Sequence, residues 1–136
     1  NTEYFSLVLD NKVKLIEGDV KRILQMLNNL LTNAIDAVVG VKKPKITIST
    51  KLLTKQDRAF VELSVMDNGH GFNKKALRSA FEPYFTQKTK GTGLGLAIVK
   101  KLVSEHNGWV RAQNNPDQGA CLIITIPIQR EQTTNS

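Results

Sequence analysis

Gly91-Thr92-Gly93-Leu94-Gly95-Leu96 is the stretch on which the fold of this chain most depends. Its alternating glycines lack Cβ atoms, so the backbone can adopt angles closed to other residues and can approach a ligand closely. An amphipathic segment follows and predicts a helix over residues 94–106, whose first N–H groups are free to hold a phosphate. A glycine-rich loop can also be an ordinary flexible turn. The segments around it must therefore decide between these two interpretations.

The length and composition of the chain indicate a single globular domain. Its 136 residues suit one core, and a hydrophobic content of 40% is ordinary for such a fold. No apolar run is long enough for a membrane span, and no signal peptide is visible. Because the sequence opens at Asn1 without an initiator Met, we expect it to be a fragment of a longer protein. The single cysteine, Cys121, excludes an internal disulfide and is interpreted as a small buried hydrophobe.

The chain is basic, with 19 Lys and Arg against 12 Asp and Glu and a net charge of +7. This balance favours an acidic partner such as a nucleic acid, an anionic membrane surface or a polyphosphate ligand. The lysines are scattered, aromatic residues are few, and no basic stripe interleaved with aromatic residues is present. We therefore expect a nucleotide ligand and no nucleic acid.

The hydrophobic pattern predicts an α+β fold. It places strands at 4–9, 12–16, 45–53, 59–67, 109–114 and 120–128, and helices at 19–39, 73–80 and 94–106. Asp19 is the expected N-cap of the first helix, and Gly40 its expected stop. The whole reads as a two-layer α/β sandwich, in which a mixed sheet of about five strands carries helices on one face. Residues 1–128 form the expected domain, and 129–136 form a polar tail.

Two apolar stripes are expected to face the core. In the first helix the stripe comprises Val20, Ile23, Leu24, Leu27, Leu30, Leu31, Ala34, Ile35 and Val38. In the helix at 94–106 it comprises Leu94, Ala97, Ile98, Leu102 and Val103, with Val99 as a further candidate.

The first long helix carries an unusual polar face. Asn29, Asn33 and Asp36 share one side, which we expect to lie opposite the apolar stripe. A solvated surface would explain this face, but asparagine is a poor helix former and so indicates another use. An amide oxygen is a hard ligand that can coordinate Mg²⁺.

A second group of polar residues and glycines, Asp67-Asn68-Gly69-His70-Gly71, follows a hydrophobic strand. A carboxylate at a strand end can accept a hydrogen bond from the exocyclic amine of a base, and glycines allow a flat base to approach the backbone. A plain Asp-Asn-Gly turn fits the same residues equally well.

The third segment runs from Phe81 to Lys90. Phe81, Tyr84 and Phe85 would pack over the mouth of a pocket, and Lys88 and Lys90 lie beside the glycine stretch, where they can meet phosphate. A lysine-rich surface loop is the alternative for either lysine taken separately.

The order of these segments resembles the ATP-binding catalytic domain of sensor histidine kinases. This domain belongs to a superfamily shared with type II topoisomerases, Hsp90 chaperones and mismatch-repair ATPases. Residues 29–34 look like the N box, 67–71 like the first glycine box, 81–85 like the phenylalanine box and 91–96 like the second glycine box. Gln118-Gly119 resembles the last glycine element, although Ala120 stands where threonine is frequent. The resemblance covers nearly all of residues 4–128.

The resemblance implies an ATP and Mg²⁺ site. Asp67 would bind the adenine amino group, Asn33 would hold Mg²⁺, Asn29 would lie near the phosphates or metal, and Lys88 or Lys90 would contact the terminal phosphates. The implied catalytic residues are Asn29, Lys88 and Lys90. The implied nucleotide site comprises Asn29, Asn33, Asp67, Gly69, Gly71, Phe85, Lys88, Lys90, Gly91, Thr92, Gly93, Leu94, Gly95 and Leu96.

Two departures from the family pattern stand out. Asp36 occupies a position where many members carry Lys or Arg, and the segment between Phe85 and Gly91 is short, as in sensor kinases of the nitrogen-regulation type. The hydrolases of the superfamily carry a glutamate general base one turn before the metal-binding asparagine. Here that position is Asn29, a neutral amide that takes no proton, so a kinase is favoured over an ATPase.

The resemblance also implies partners outside the chain. The acceptor would be a histidine on a helical dimerisation domain of the same protein, with a response regulator downstream. The domain would be cytoplasmic, whether or not the parent protein is anchored in the inner membrane. A serine kinase of the same superfamily and a non-catalytic nucleotide-dependent interaction module are the alternatives.

Overall fold

The computed structural model describes residues 5–15, 17–82 and 95–128. The strands are β1 (Phe5–Val8), β2 (Ile46–Lys55), β3 (Arg58–Asp67), β4 (Trp109–Asn114) and β5 (Ala120–Pro127). The helices are α1 (Glu17–Ala37), α2 (Lys74–Ser79) and α3 (Gly95–Glu105).

The strands form one five-stranded sheet in the order β1-β2-β3-β5-β4. β1 runs parallel to β2, and the other neighbours are antiparallel. This mixed sheet confirms the predicted α+β architecture. Within the described part of the chain, no helix combines the length and the apolar character needed to cross a bilayer.

The core lies between one face of the sheet and the two long helices. Alternate residues of β3 point into it, and Val61, Leu63 and Val65 are each 1% exposed. They pack in one cluster with residues of α1 and α3, among them Leu30 and Val103. Burying a side chain of this size stabilises the fold by roughly 1.5–3 kcal/mol. The packing therefore explains why both helices cover the same face.

The first helix begins earlier than predicted. Glu17 is its first residue, so Asp19 lies inside the first turn rather than at the N-cap. Its side chain is buried beside Arg22, with 3.5 Å between carboxylate and guanidinium. The N-cap prediction was therefore wrong, although an acidic residue in the first turn still favours the positive end of the helix dipole.

The strand predicted at 12–16 is also absent. Residues 11–12 form a turn and 13–15 are irregular, whereas residue 16 lies outside the described residues. Asp10 accounts for the turn, because its carboxylate accepts hydrogen bonds from the N–H groups of Lys12 and Leu52, both at 2.9 Å. These bonds hold the pKa of Asp10 below its usual value. A local side-chain acceptor thus competes successfully with strand pairing.

The predicted apolar stripes were too wide. Val20, Leu24 and Ile35 of α1 and Ile98 of α3 are between 39 and 58% exposed. The buried line of α1 includes Met26, which the prediction omitted and which is fully buried. A helix that packs against one sheet face buries a narrower arc than its full apolar content indicates.

Candidate functional site

Asp67 is the last residue of β3 and its side chain is buried, with 5% of its surface exposed. Its Oδ1 accepts hydrogen bonds from the N–H of Gly69 at 2.8 Å and of Ala120 at 3.3 Å. One carboxylate oxygen is therefore fixed by the main chain, and the other, Oδ2, has no donor among the described residues.

Burial raises the pKa of Asp67 above its ordinary value because desolvation disfavours the charged form. The hydrogen bonds from Gly69 and Ala120 and the nearby His70 oppose this rise without cancelling it. A carboxylate kept partly desolvated in this way forms a stronger hydrogen bond to a donor than one in bulk water.

Gly69 joins the Asp67 turn to the end of α1. A Cβ at Gly69 would lie 2.2 Å from the main-chain oxygen of Ala37, so only glycine fits against this part of the helix. Ala37 is four residues beyond Asn33, which places the two on the same side of α1, one turn apart. The carboxylate turn and the asparagine face are therefore brought to the same end of the helix.

The asparagine face differs from the prediction in its orientation. Asn29 and Asn33 are half-buried at the flank of the packed face, rather than opposite it, and only Asp36 is exposed. In helical projection Asn33 falls close to the fully buried Met26, which explains the partial burial. The two amides thus lie at the boundary between core and solvent, where a bound ligand can reach them.

The donor set of this face fits a hydrated Mg²⁺ ion. Asn33 offers an amide oxygen, and Mg²⁺ takes few protein ligands and keeps several waters. From Ile23 to Ala37 the helix contains no Lys or Arg, although the whole chain carries a net charge of +7. A cation at Asn33 therefore meets no basic side chain from this part of the helix.

The second glycine of the turn, Gly71, has a φ of 75°. A side chain there would be strained, and its Cβ would lie 3.0 Å from the Oδ1 of Asn114. Asn114 pairs with Phe72 in both directions: its Oδ1 accepts from the Phe72 N–H at 2.8 Å, and its Nδ2 donates to the Phe72 oxygen at 2.7 Å. The end of β4 thus fixes the path of the chain just after Gly71.

Asn68 fastens the same turn to the loop before β2. Its Oδ1 accepts from the Lys45 N–H and its Nδ2 donates to the Lys43 oxygen, both at 2.8 Å. The prediction treated Asn68 only as a turn former. The Asp-Asn-Gly order in the sequence does not reveal these contacts, because they join residues that are 23 and 25 positions apart in the chain.

Asn115 is a further residue that the prediction missed, whereas Gly119 was named as part of the last glycine element but not as a contact of Asp67. The Nδ2 of Asn115 donates to the main-chain oxygen of Asp67 at 2.8 Å. A Cβ at Gly119 would lie 2.0 Å from that same oxygen, and the φ of Gly119 is 91°. In the sequence both residues look like ordinary turn formers between two strands.

Part of the predicted site lies outside the described residues, namely Tyr84, Phe85, Lys88, Lys90, Gly91, Thr92, Gly93 and Leu94. Of the rest, Gly95 begins α3, whereas Leu96 and Phe81 are half-buried and pack against the core. In the described residues no group of three His, Cys, Asp or Glu side chains could hold a metal.

Comparison with known proteins gives a family match over most of the chain. Residues 18–130 match the model of a family described as histidine kinase-, DNA gyrase B- and HSP90-like ATPase. The signal transduction histidine-protein kinase AtoS of Escherichia coli (strain K12) is 35% identical over 120 residues, which are 88% of this chain and 19% of AtoS. The chain spans between 18 and 25% of the length of the curated relatives that it matches.

Solved structures share the fold as well. The catalytic domain of histidine kinase ThkA is 34% identical with a TM-score of 0.73, covering 91% of this chain and 78% of that one. Full-length ShkA in complex with AMPPNP is 26% identical with a TM-score of 0.76, covering 95% and 26%. ThkA in complex with the response regulator protein TrrA gives 30% identity and a TM-score of 0.69, covering 92% and 34%.

Proposed function

Because the chain belongs to the histidine kinase-, DNA gyrase B- and HSP90-like ATPase family, we propose that it binds Mg-ATP and donates the γ-phosphate to a histidine. That histidine would lie on a separate helical dimerisation domain of a two-component sensor kinase in the cytoplasm. AtoS is a signal transduction histidine-protein kinase, ThkA is a histidine kinase, and the similar ShkA structure holds AMPPNP. A response regulator would receive the phosphate next, a step supported by the ThkA complex with TrrA.

The half-anchored carboxylate of Asp67 carries this proposal. Oδ1 is held by two main-chain N–H groups, and no described residue donates to Oδ2. The exocyclic amine of adenine is a donor that matches this open acceptor. Gly69 and Gly71 let the adjoining turn pack tightly against Ala37 and Asn114, which fixes the backbone beside Asp67.

We propose that the phosphates bind along α1 and, from the sequence alone, beside residues 91–96. We assign Asn33 to the metal and Asn29 to a contact with the phosphates or metal, as their half-buried positions allow. When bound, Mg²⁺ neutralises charge on the phosphates and so assists their transfer. From the sequence we assign Lys88 or Lys90 to the terminal phosphates and Phe85 and residues 91–96 to the wall of the site.

Asn29 favours transfer to a protein over hydrolysis. A general base must be able to take a proton from the attacking water, and an amide does not. In the hydrolases of this superfamily a glutamate stands at that place. Without such a base the γ-phosphate survives until an acceptor arrives, and positioning and charge neutralisation then do most of the work of the transfer.

The proposal is tested by incubating the chain with labelled ATP and Mg²⁺, alone and with the helical domain of its parent protein. We expect little or no label on the chain itself and acid-labile label on the helical domain. The Asp67→Asn variant is the matched control and should label the helical domain more slowly.

Three outcomes would contradict the proposal in different ways. Strong labelling of the chain alone would place the acceptor within it. Acid-stable label on a serine would favour a serine kinase of the same superfamily. ATP binding without transfer to any helical domain would favour a non-catalytic interaction module.

A further inference from the structure

The turn between β4 and β5, residues 115–119, together with the residue that follows it, contacts both the main chain and the side chain of Asp67. The Nδ2 of Asn115 donates to the main-chain oxygen of Asp67 at 2.8 Å. Just past the turn, the N–H of Ala120 donates to the Oδ1 of Asp67 at 3.3 Å. These partners are 48 and 53 positions from Asp67. One short segment therefore holds two different parts of the aspartate.

Asn115 is also the residue that closes this turn. Its Nδ2 lies 3.3 Å from the main-chain oxygens of Gln118 and Ala120, and its own N–H donates to the Gly119 oxygen at 2.9 Å. Gly119 in turn packs so closely on the Asp67 oxygen that a Cβ would lie 2.0 Å from it. A shift of the turn would thus be transmitted directly to Asp67.

The strength of a hydrogen bond depends steeply on distance and angle. The position of Oδ2 is determined by the main chain of Asp67 and by the hydrogen bonds to Oδ1. Asn115 holds the main chain of Asp67 directly. It also supports the bond to Oδ1 indirectly, through the turn that presents the Ala120 N–H.

We propose that Asn115 is a positioning residue for base recognition: its amide fixes Asp67 so that Oδ2 meets the amino group of adenine. This inference rests on the proposed function, because it takes Asp67 as the adenine acceptor. Asn115 itself acts through the main chain of Asp67 and touches no reacting atom.

The neighbouring Asn114 provides a matched comparison. It is the same residue type, in the adjacent position, and its side chain likewise bonds to the main chain, with two hydrogen bonds. Those bonds go to Phe72 rather than to Asp67. Substitution of either asparagine should therefore lower the stability of the fold, but only substitution of Asn115 should also reduce the selectivity for the base.

The test compares the affinities for ATP and for purine riboside 5′-triphosphate, which carries hydrogen in place of the amino group. Both are measured with Mg²⁺ by calorimetry on folded protein, checked by circular dichroism. The parent chain should bind ATP about tenfold or more tightly than the analogue, because ATP makes one additional hydrogen bond to a charged group. Asn115→Asp, which keeps the shape but loses the donor, and Asn115→Ala should both reduce this preference to about threefold or less. Asn114→Ala should keep it.

A cycle with Asp67→Asn adds a second readout. In that background the Asn115→Ala change should not alter the ratio further, since the charged acceptor that it positions is gone. If folded Asn115 variants keep the parent's preference for ATP, or if Asn114→Ala abolishes it equally, the inference is wrong while the proposed function stands. If the parent shows no preference for ATP, the adenine role of Asp67 fails and the inference fails with it.

Discussion

Asp67 shows how a single residue can be unfavourable for the fold and useful for the ligand. Burial raises its pKa, so the folded protein holds the proton more tightly than the unfolded chain does. Its contribution to stability is then greatest when it is protonated, and it falls as the pH rises through the folded-state pKa. Adenine binding needs the opposite state, with Oδ2 free to accept.

Because folding favours the protonated form of Asp67 and adenine binding needs the ionised form, the affinity for ATP should depend on pH. The affinity for Mg-ATP should fall on acidification through the pKa of Asp67, which lies above the ordinary aspartate value of about 3.9. Calorimetry across a pH series checks this. Protonation of the phosphates also weakens binding, so the comparison is with Asp67→Asn, which should lack the part of the pH dependence that comes from residue 67. Identical pH profiles for the two proteins would contradict the assignment.

Gly69 allows a prediction of stability at the same scale. In Gly69→Ala the new Cβ would approach the carbonyl of Ala37, which is helix backbone and cannot swing away. The fold should lose about 1–3 kcal/mol, as for an overpacked site. Gly18→Ala in α1 is the control, because a Cβ there has open space and alanine favours a helix. Denaturant unfolding measures both, and a Gly69→Ala protein as stable as the parent would overturn the proposed fit.

At the scale of elements, α1 combines two tasks that conflict. It must pack its buried line on the sheet, and it must present Asn29 and Asn33 at the edge of that line. Asparagine is less favourable than alanine in a helix by up to about 0.7 kcal/mol. The helix is therefore less stable than its apolar content alone would allow.

Asn33→Ala should separate these two tasks. The helix should gain a few tenths of a kcal/mol in stability, whereas the affinity for ATP with Mg²⁺ should fall by roughly 1–3 kcal/mol through loss of the ligand. Asn28→Ala makes the same change on an exposed part of the same helix and should keep the affinity. Calorimetry with and without Mg²⁺ measures the binding. Equal affinities for the parent and Asn33→Ala in Mg²⁺ would exclude Asn33 as the metal ligand.

The sequence predicts most of the elements because their signals are local. Alternation defines β3, and helical spacing together with Gly40 defines the end of α1 to within a few residues. The prediction of a strand at 12–16 failed because the Asp10 carboxylate accepts hydrogen bonds from the N–H groups of Lys12 and Leu52, and the hydrophobic pattern does not show these contacts. Asp67 was found as a carboxylate at a strand end, whereas its clamp by Asn115 was missed because that contact crosses 48 positions.

At the scale of the whole molecule, the sheet order explains how distant motifs meet. β3 lies in the middle of the sheet with β5 beside it, so the end of β3 at Asp67 faces the start of β5 at Ala120. α1 packs on the same sheet and ends against Gly69. Segments from three parts of the chain thus build one site around a single carboxylate.

Titration of the folded chain with ATP and Mg²⁺ in a calorimeter tests the central claim most directly, with Asp67→Asn measured alongside. The parent should give a saturable heat of binding, and the variant should bind more weakly by roughly 1–3 kcal/mol, because the acceptor for the adenine amino group has lost its charge. No heat from well-folded parent protein, or equal affinity in the two proteins, would contradict the account.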